Sequence, residues 1–237
     1  MHKRHGDPID KSPSLAEKIK DFKDFDDVSR DALIAGSSNY RSYRSPDLDP
    51  QVITVFDQHL INALKEELHS GAWDLEVGFG KGRFLLEYAA GNPSRKIIGI
   101  EVRRAFCNRV MKRVRKRRLE NVRVVLGDAR EMIPKLIEEV VLERVFILFP
   151  DPWWKKRHAK RRYGKEFFLL VGERMKRGGI LVIKSDVRAY LEDLTKEALD
   201  TSMFRIGEQT LQLPDTNREV RLREEGLPVF QKMLIRS

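Results

Sequence analysis

The chain has 237 residues, 41% of them hydrophobic and 35% charged, with a formal net charge of +10; this suits one sizeable α/β domain with an appendage and favours a polyanionic partner. The single cysteine, Cys107, excludes an intrachain disulfide and a cysteine-based zinc site, and no metal site is expected. The opening MHKRHGDPID lacks the apolar core of a leader and no stretch is long enough to span a membrane, so a cytoplasmic protein without membrane contact is expected.

Residues 1–45 are polar and charged without periodicity, and read as an arm ahead of a domain over 46–237. Tyr40, Arg41, Tyr43 and Arg44 close the arm. Apolar residues at helical spacing predict a helix from Val52 to Ser70, with Gly71 as its stop. Trp73–Val77 then reads as a strand, followed by a glycine loop and a helix to about Ala90. Strands are expected at Lys96–Glu101, Val122–Leu126, Val145–Phe149 and Ile180–Lys184. The helices between them cover Arg103–Arg118, Glu131 to about Val140, and Tyr163–Lys176, the last ended by Gly178-Gly179. A helix over Val187–Thr201 follows, then strands at Phe204–Leu211 and Pro228–Ile235, paired as a hairpin across a long loop. Repeated β-α units imply a mostly parallel sheet with helices on both faces.

The first strand turns into its helix through Glu76-Val77-Gly78-Phe79-Gly80-Lys81-Gly82. Closely spaced glycines let the backbone turn sharply and approach a ligand. Glu101 ends the second strand, where an acid suits a ribose diol. Asp128, in Leu126-Gly127-Asp128-Ala129, ends the third and suits an adenine amino group. A dinucleotide site prefers G-x-G-x-x-G against a pyrophosphate. Here the pattern is E-x-G-x-G-x-G, and an acid ahead of the first glycine suits a cationic ligand such as S-adenosylmethionine. The arrangement resembles Rossmann-like class I methyltransferases; helix capping by Glu76 and Asp128 is the plainer alternative.

The most specific segment is Phe149-Pro150-Asp151-Pro152-Trp153-Trp154-Lys155-Lys156-Arg157-His158-Ala159-Lys160-Arg161-Arg162. Prolines fix the backbone around Asp151, two tryptophans offer flat faces for stacking or packing, and the cations suit phosphates. The block Lys112–Arg118 is a second basic run, solvated or dipole-stabilising as readily as it is an RNA contact. Cys107 falls within a helix and reads as core.

F-P-D-P-W-W-K-K-R-H-A-K-R-R resembles the signature of the tRNA (guanine-N7)-methyltransferase family, bacterial TrmB type, and the likeness extends from about Asn39 to Ile235. E-V-G-F-G-K-G, G-I-E-V, G-D-A-R, Ser185-Asp186 and Asp215-Thr216-Asn217-Arg218-Glu219 resemble that family's further motifs. The resemblance implies methyl transfer from S-adenosylmethionine to N7 of a guanine in tRNA, guanine 46 of the variable loop. It implies a cofactor site of Glu76, Gly78, Gly80, Gly82, Glu101, Asp128 and Asp151, with Asp151 at the active centre. Lys155, Asp186, Thr216, Asn217, Arg218 and Glu219 would meet the substrate, and Lys156, Arg157, Lys160, Arg161 and Arg162, with Lys155, the tRNA phosphates. The chain departs from the family after Glu219, where a glycine-histidine step is missing, and in the arm before Asn39.

Guanine N7 offers an in-plane lone pair, so methylation needs alignment rather than a general base. His158, among cations, therefore reads as a phosphate or packing residue. Three alternatives stay open: another S-adenosylmethionine-dependent RNA or DNA base methyltransferase, a non-catalytic RNA-binding module on the same fold, and a nicotinamide dehydrogenase. The single residue between the prolines argues against a D-P-P-Y-type amine methylase, the full set of strand-end acids against the binding module, and the glycine spacing against the dehydrogenase. Tyr40 to Arg44 suit an RNA contact or a plain linker equally, no obligatory protein partner is expected, and the chain is expected to be a monomer or homodimer.

Overall fold

A computed structural model describes residues 47–151, 163–208 and 210–237. The arm expected over residues 1–45 lies outside the described residues. In chain order the elements are α1 (Gln58–Leu68), β1 (Ala72–Val77), α2 (Arg83–Gly91), β2 (Arg95–Glu101), α3 (Arg104–Arg117), β3 (Val122–Leu126), α4 (Ala129–Leu136) and β4 (Leu142–Leu148). They continue with α5 (Lys165–Arg174), β5 (Met175–Ser185), α6 (Arg188–Leu199), β6 (Phe204–Ile206), α7 (Asn217–Glu224) and β7 (Phe230–Arg236).

The seven strands form one sheet in the order β3-β2-β1-β4-β5-β7-β6. β1 to β5 run parallel, and β7 lies antiparallel between β5 and β6. The central strands are buried along almost their whole length because helices cover both faces. On one face α1, α4, α5 and α6 pack over Leu75, Val77, Val145, Ile147 and Ile183. On the other, Phe84 and Tyr88 of α2 meet the edge of Phe146. Strand alternation then sends Asp74 and Glu76 to the α2 face, opposite Leu75 and Val77.

Three expectations need correction. The helix expected from Val52 begins at Gln58, where Asp57 caps it by accepting from Leu60 N at 3.1 Å. Val52 and Ile53 are buried instead, and Ile53 adds a parallel bridge to Val125. Ile53 N donates to Val124 O and Leu126 N to Ile53 O, so the bare edge of β3 is partly closed. The helix expected over Tyr163–Lys176 ends at Arg174, and Gly178-Gly179 lie inside β5. There the register against β4 shifts between Leu142 and Arg144, an irregularity that Gly178, at φ +80°, accommodates. Finally, the strand expected over Phe204–Leu211 is only Phe204–Ile206, and the loop before β7 contains the helix α7.

Candidate active site

The strand order reverses between β1 and β4, the place where open α/β sheets hold ligands beyond the carboxyl ends of their strands. The glycine loop leaves β1 at this point, and Phe149-Pro150-Asp151 leaves β4 beside it.

Two buried acids on the same side of β1 have opposite fates. Asp74 accepts from Tyr88 Oη at 2.7 Å and from Arg95 through Nε at 2.7 Å and Nη2 at 2.5 Å. Arg95 also reaches Glu143, so this end of the sheet is closed by a satisfied network. Glu76, one step nearer the carboxyl end, is 2% exposed, and its Oε2 has no hydrogen-bond partner among the described residues. Burial, and then the charge of Glu101, push its carboxyl well above the usual range. A buried carboxylate oxygen without a donor is costly unless a ligand supplies one.

Glu101 turns inward at the end of β2. Its Oε2 accepts from Gly80 N and its Oε1 from Arg103 N, both at 2.9 Å. Burial raises its carboxyl, against the pull of these backbone donors. The same carboxylate thus fixes the glycine loop and, through its remaining lone pairs, can accept from a vicinal diol. A Cβ built on Gly78 or Gly80 meets nothing within 4 Å, so the loop borders open space. Gly78, Gly80 and Gly82 are all left-handed, at φ +74°, +55° and +72°, but Gly82 differs in its space: its Cβ would come within 2.3 Å of Val110 Cγ2 on α3. Gly82→Ala is therefore expected to cost about 2–4 kcal/mol, from left-handed strain and overpacking together. Gly80→Ala should lose less, and equal losses in urea denaturation would show that α3 does not buttress the loop.

Asp128 caps α4, accepting from Arg130 N at 2.9 Å, and also pairs with the Arg130 guanidinium, whose Nε lies at 2.9 Å. Burial alone would raise its carboxyl; the Arg130 contacts outweigh burial and hold it below the usual range. Phe149 carries φ +53°, a left-handed conformation that is strained for an aromatic residue. It turns the chain out of β4 while Phe149 N still bonds Lys184 O at 2.8 Å. Asp151 follows as an exposed side chain, its backbone carbonyl accepting from Tyr190 Oη at 3.3 Å.

The end of β5 is tied to the start of α7. Thr216 and Glu219 form a capping box, with Glu219 N donating to Thr216 Oγ1 at 3.0 Å and Thr216 N to Glu219 Oε2 at 2.7 Å. Glu219 Oε1 accepts from Lys184 Nζ at 2.6 Å, and both side chains are buried. Beside this pair, Arg218 Nε donates to Asp186 Oδ2 at 3.1 Å. Asn217 is the first residue of α7.

A family model described as "Putative methyltransferase" matches residues 71–230. The tRNA (guanine-N(7)-)-methyltransferase of Nitrosococcus oceani is 37% identical over 168 residues, 69% of this chain and 71% of that protein. The chain belongs to this methyltransferase family. The enzyme of the same description from Thermus thermophilus is 38% identical over 56% of this chain and 43% of its own length, so the match spans less than half of that relative. The aminoglycoside resistance methyltransferase NpmB1 superposes with a TM-score of 0.56 over 75% of this chain and 93% of its own, at 18% identity, a likeness of fold.

Within the family frame, Glu76, Gly78, Gly80, Gly82, Glu101 and Asp128 gather along the carboxyl edge of β1 to β3. Asp186, Thr216, Asn217, Arg218 and Glu219 gather where β5 meets α7. Trp153, Trp154, Lys155, Lys156, Arg157, His158, Lys160, Arg161 and Arg162 lie outside the described residues. Cys107 is buried in α3, and burial pushes its thiol up, as suits a core residue. Lys184 and Arg130 enter the site architecture without having been singled out in the sequence. A lone lysine closing an apolar strand needs a buried partner, and T-x-x-E names the capping box that supplies it.

Proposed function

We propose that this chain transfers a methyl group from S-adenosylmethionine to N7 of a guanine in tRNA, guanine 46 of the variable loop. The observation that carries the choice of donor is the buried, unpartnered Glu76 Oε2 at the mouth of the glycine loop. A pyrophosphate would be repelled there, whereas a cationic donor answers the carboxylate. Relatives described as tRNA (guanine-N(7)-)-methyltransferases support the choice of acceptor.

Glu76, Gly78, Gly80, Glu101 and Asp128 would hold the donor, and its sulfonium supplies an activated methyl group. Gly82 backs the loop from α3, and Asp151 stands between donor and base. N7 is nucleophilic without losing a proton, so the chain has to align the base and exclude water. Asp186 is the better placed of two acids to select guanine over adenine. Only its Oδ2 is engaged by Arg218, which leaves Oδ1 for guanine N1–H or the 2-amino group. Glu219 is spent on Lys184 and the Thr216 backbone, and acts by fixing α7. Asp151 would steady the positive charge that develops on the ring. The cations from Lys155 to Arg162 would neutralise tRNA phosphates.

The test is labelled methyl transfer to unmodified tRNA followed by N7-specific strand cleavage. Wild type should label the variable-loop guanine, and Asp151→Asn should lose about 2–4 kcal/mol of transition-state stabilisation, a rate loss of about 30- to 1000-fold. Label on an exocyclic amine, or on another nucleotide, would overturn the assignment.

A further inference from the structure

Nine of the residues 103–118 are lysine or arginine and none is acidic. Folding into α3 sorts these cations onto three sides of one helix. Toward the segment before α1, Arg104 lies 4.0 Å from Asp47, Arg115 Nη1 donates to Asp49 Oδ1 at 2.9 Å, and Asn108 accepts from Asp49 N. Toward α2 and the glycine loop, Arg113 Nη1 donates to Lys81 O at 3.0 Å and Arg117 pairs with Glu87 at 3.0 Å. The outermost side, opposite the buried Cys107, Val110, Met111 and Val114, carries Arg109, Lys112 and Lys116. All three are exposed and none forms a close ion pair among the described residues; Arg109 lies 6.0 Å from the Phe106 ring, and Lys112 acts on Asp49 only through its charge.

The spacing of that third side works against the helix, although Lys116, in the last turn, is favoured by the dipole. Arg109, Lys112 and Lys116 follow each other at three and four residues, so like charges face one another. Arg103 and Arg104 stand at the positive end of the helix dipole, with no acid in the first turn to compensate. Repulsion of this kind is relieved by a polyanion laid along the helix. Arg109 to Lys116 spans about 10 Å of axis, roughly three phosphates of one nucleic-acid strand. The two flanking sides are pinned, one to the glycine loop itself, so the row is held at a fixed place relative to the site.

The structure assigns the outer side of α3, through Arg109, Lys112 and Lys116, as a second phosphate-binding surface that grips the RNA backbone away from the reacting base. The assignment rests on the proposed tRNA substrate and extends it. The test compares the triple variant R109Q/K112Q/K116Q with K196Q/R205Q/K232Q, which removes the same charge from exposed sites elsewhere. Binding of unmodified tRNA is measured against salt by fluorescence anisotropy, and methyl transfer is measured in parallel. The α3 variant should flatten the log–log salt slope by about 2 to 3 and raise KM for tRNA about tenfold or more. Its kcat and its calorimetric affinity for S-adenosylmethionine should stay near wild type, and the control triple should change the slope by less than about 1. An unchanged slope, or equal flattening in both triples, overturns the assignment. Wild type that binds tRNA with the expected contrast yet forms no N7-methylguanine would refute the proposed reaction and leave the surface standing.

Discussion

Glu76→Gln is expected to weaken S-adenosylmethionine binding by about 2–3 kcal/mol, roughly 30- to 150-fold, while relieving the protein of a pH-dependent loss of stability. The reason is that Glu76 is built for a ligand rather than for the fold. Asp74, two residues earlier on the same face, has Arg95 and Tyr88 as partners, and Glu76 Oε2 has none among the described residues. Because its carboxyl is raised in the folded chain, the folded state holds the proton more tightly than the unfolded state. The contribution of Glu76 to wild-type stability is thus fullest below the ordinary glutamate value of 4.5 and falls as pH rises from there through the raised value. The glutamine variant lacks this decline, so the stability difference should move in its favour as pH increases. Donor binding should also release a proton from wild type wherever Glu76 is protonated in the free protein, and not from the variant. Calorimetry in buffers of different ionisation enthalpy, beside urea melts from pH 5 to 8, reads both effects. Parallel pH profiles for the two proteins would show that Glu76 is not the raised group.

Lys184→Met is expected to destabilise the fold by about 3–5 kcal/mol, the effect of leaving Glu219 as a buried charge without its partner. Glu219 cannot turn to solvent without giving up Thr216 N and breaking the capping box that starts α7. A second substitution separates charge from packing. In Lys184→Met/Glu219→Gln, the amide still serves Thr216 N and no buried charge remains, so most of the loss should be recovered. The single variant should also raise KM for tRNA, because Arg218 rides on the first turn of α7 and holds Asp186. If the double variant is no more stable than the single one, the pair is not the link between β5 and α7.

The β-α succession was legible because each strand from β1 to β5 is a short apolar run between glycine- or acid-bearing turns, and each helix has an apolar stripe. Val122–Leu126 was delimited without error, and the other central strands to within a few residues. The strand-end acids were legible for the same reason, since a run that ends in Glu76, Glu101 or Asp128 places the acid at the carboxyl edge of a parallel sheet. The helix α7 was not. Its only buried residues are Glu219 and Leu222, too few for a period, and its start is marked by a cap rather than by an apolar stripe.

By itself, then, the sequence determined a parallel α/β frame, a glycine loop suited to a cationic donor, a family and a strongly basic surface. These rest on local pattern: periodicity, glycine spacing and the position of acids at strand ends. Tertiary structure alone decided that β7 inserts between β5 and β6, that Ile53 closes the edge of β3, and that Lys184 takes Glu219 while Asp186 takes Arg218. It also decided which cations of α3 are spent on Asp49, Glu87 and the Lys81 carbonyl, and which face outward. Those partners lie far apart along the chain, and no local pattern encodes which buried charge will be answered and which, like Glu76, will be left for a ligand.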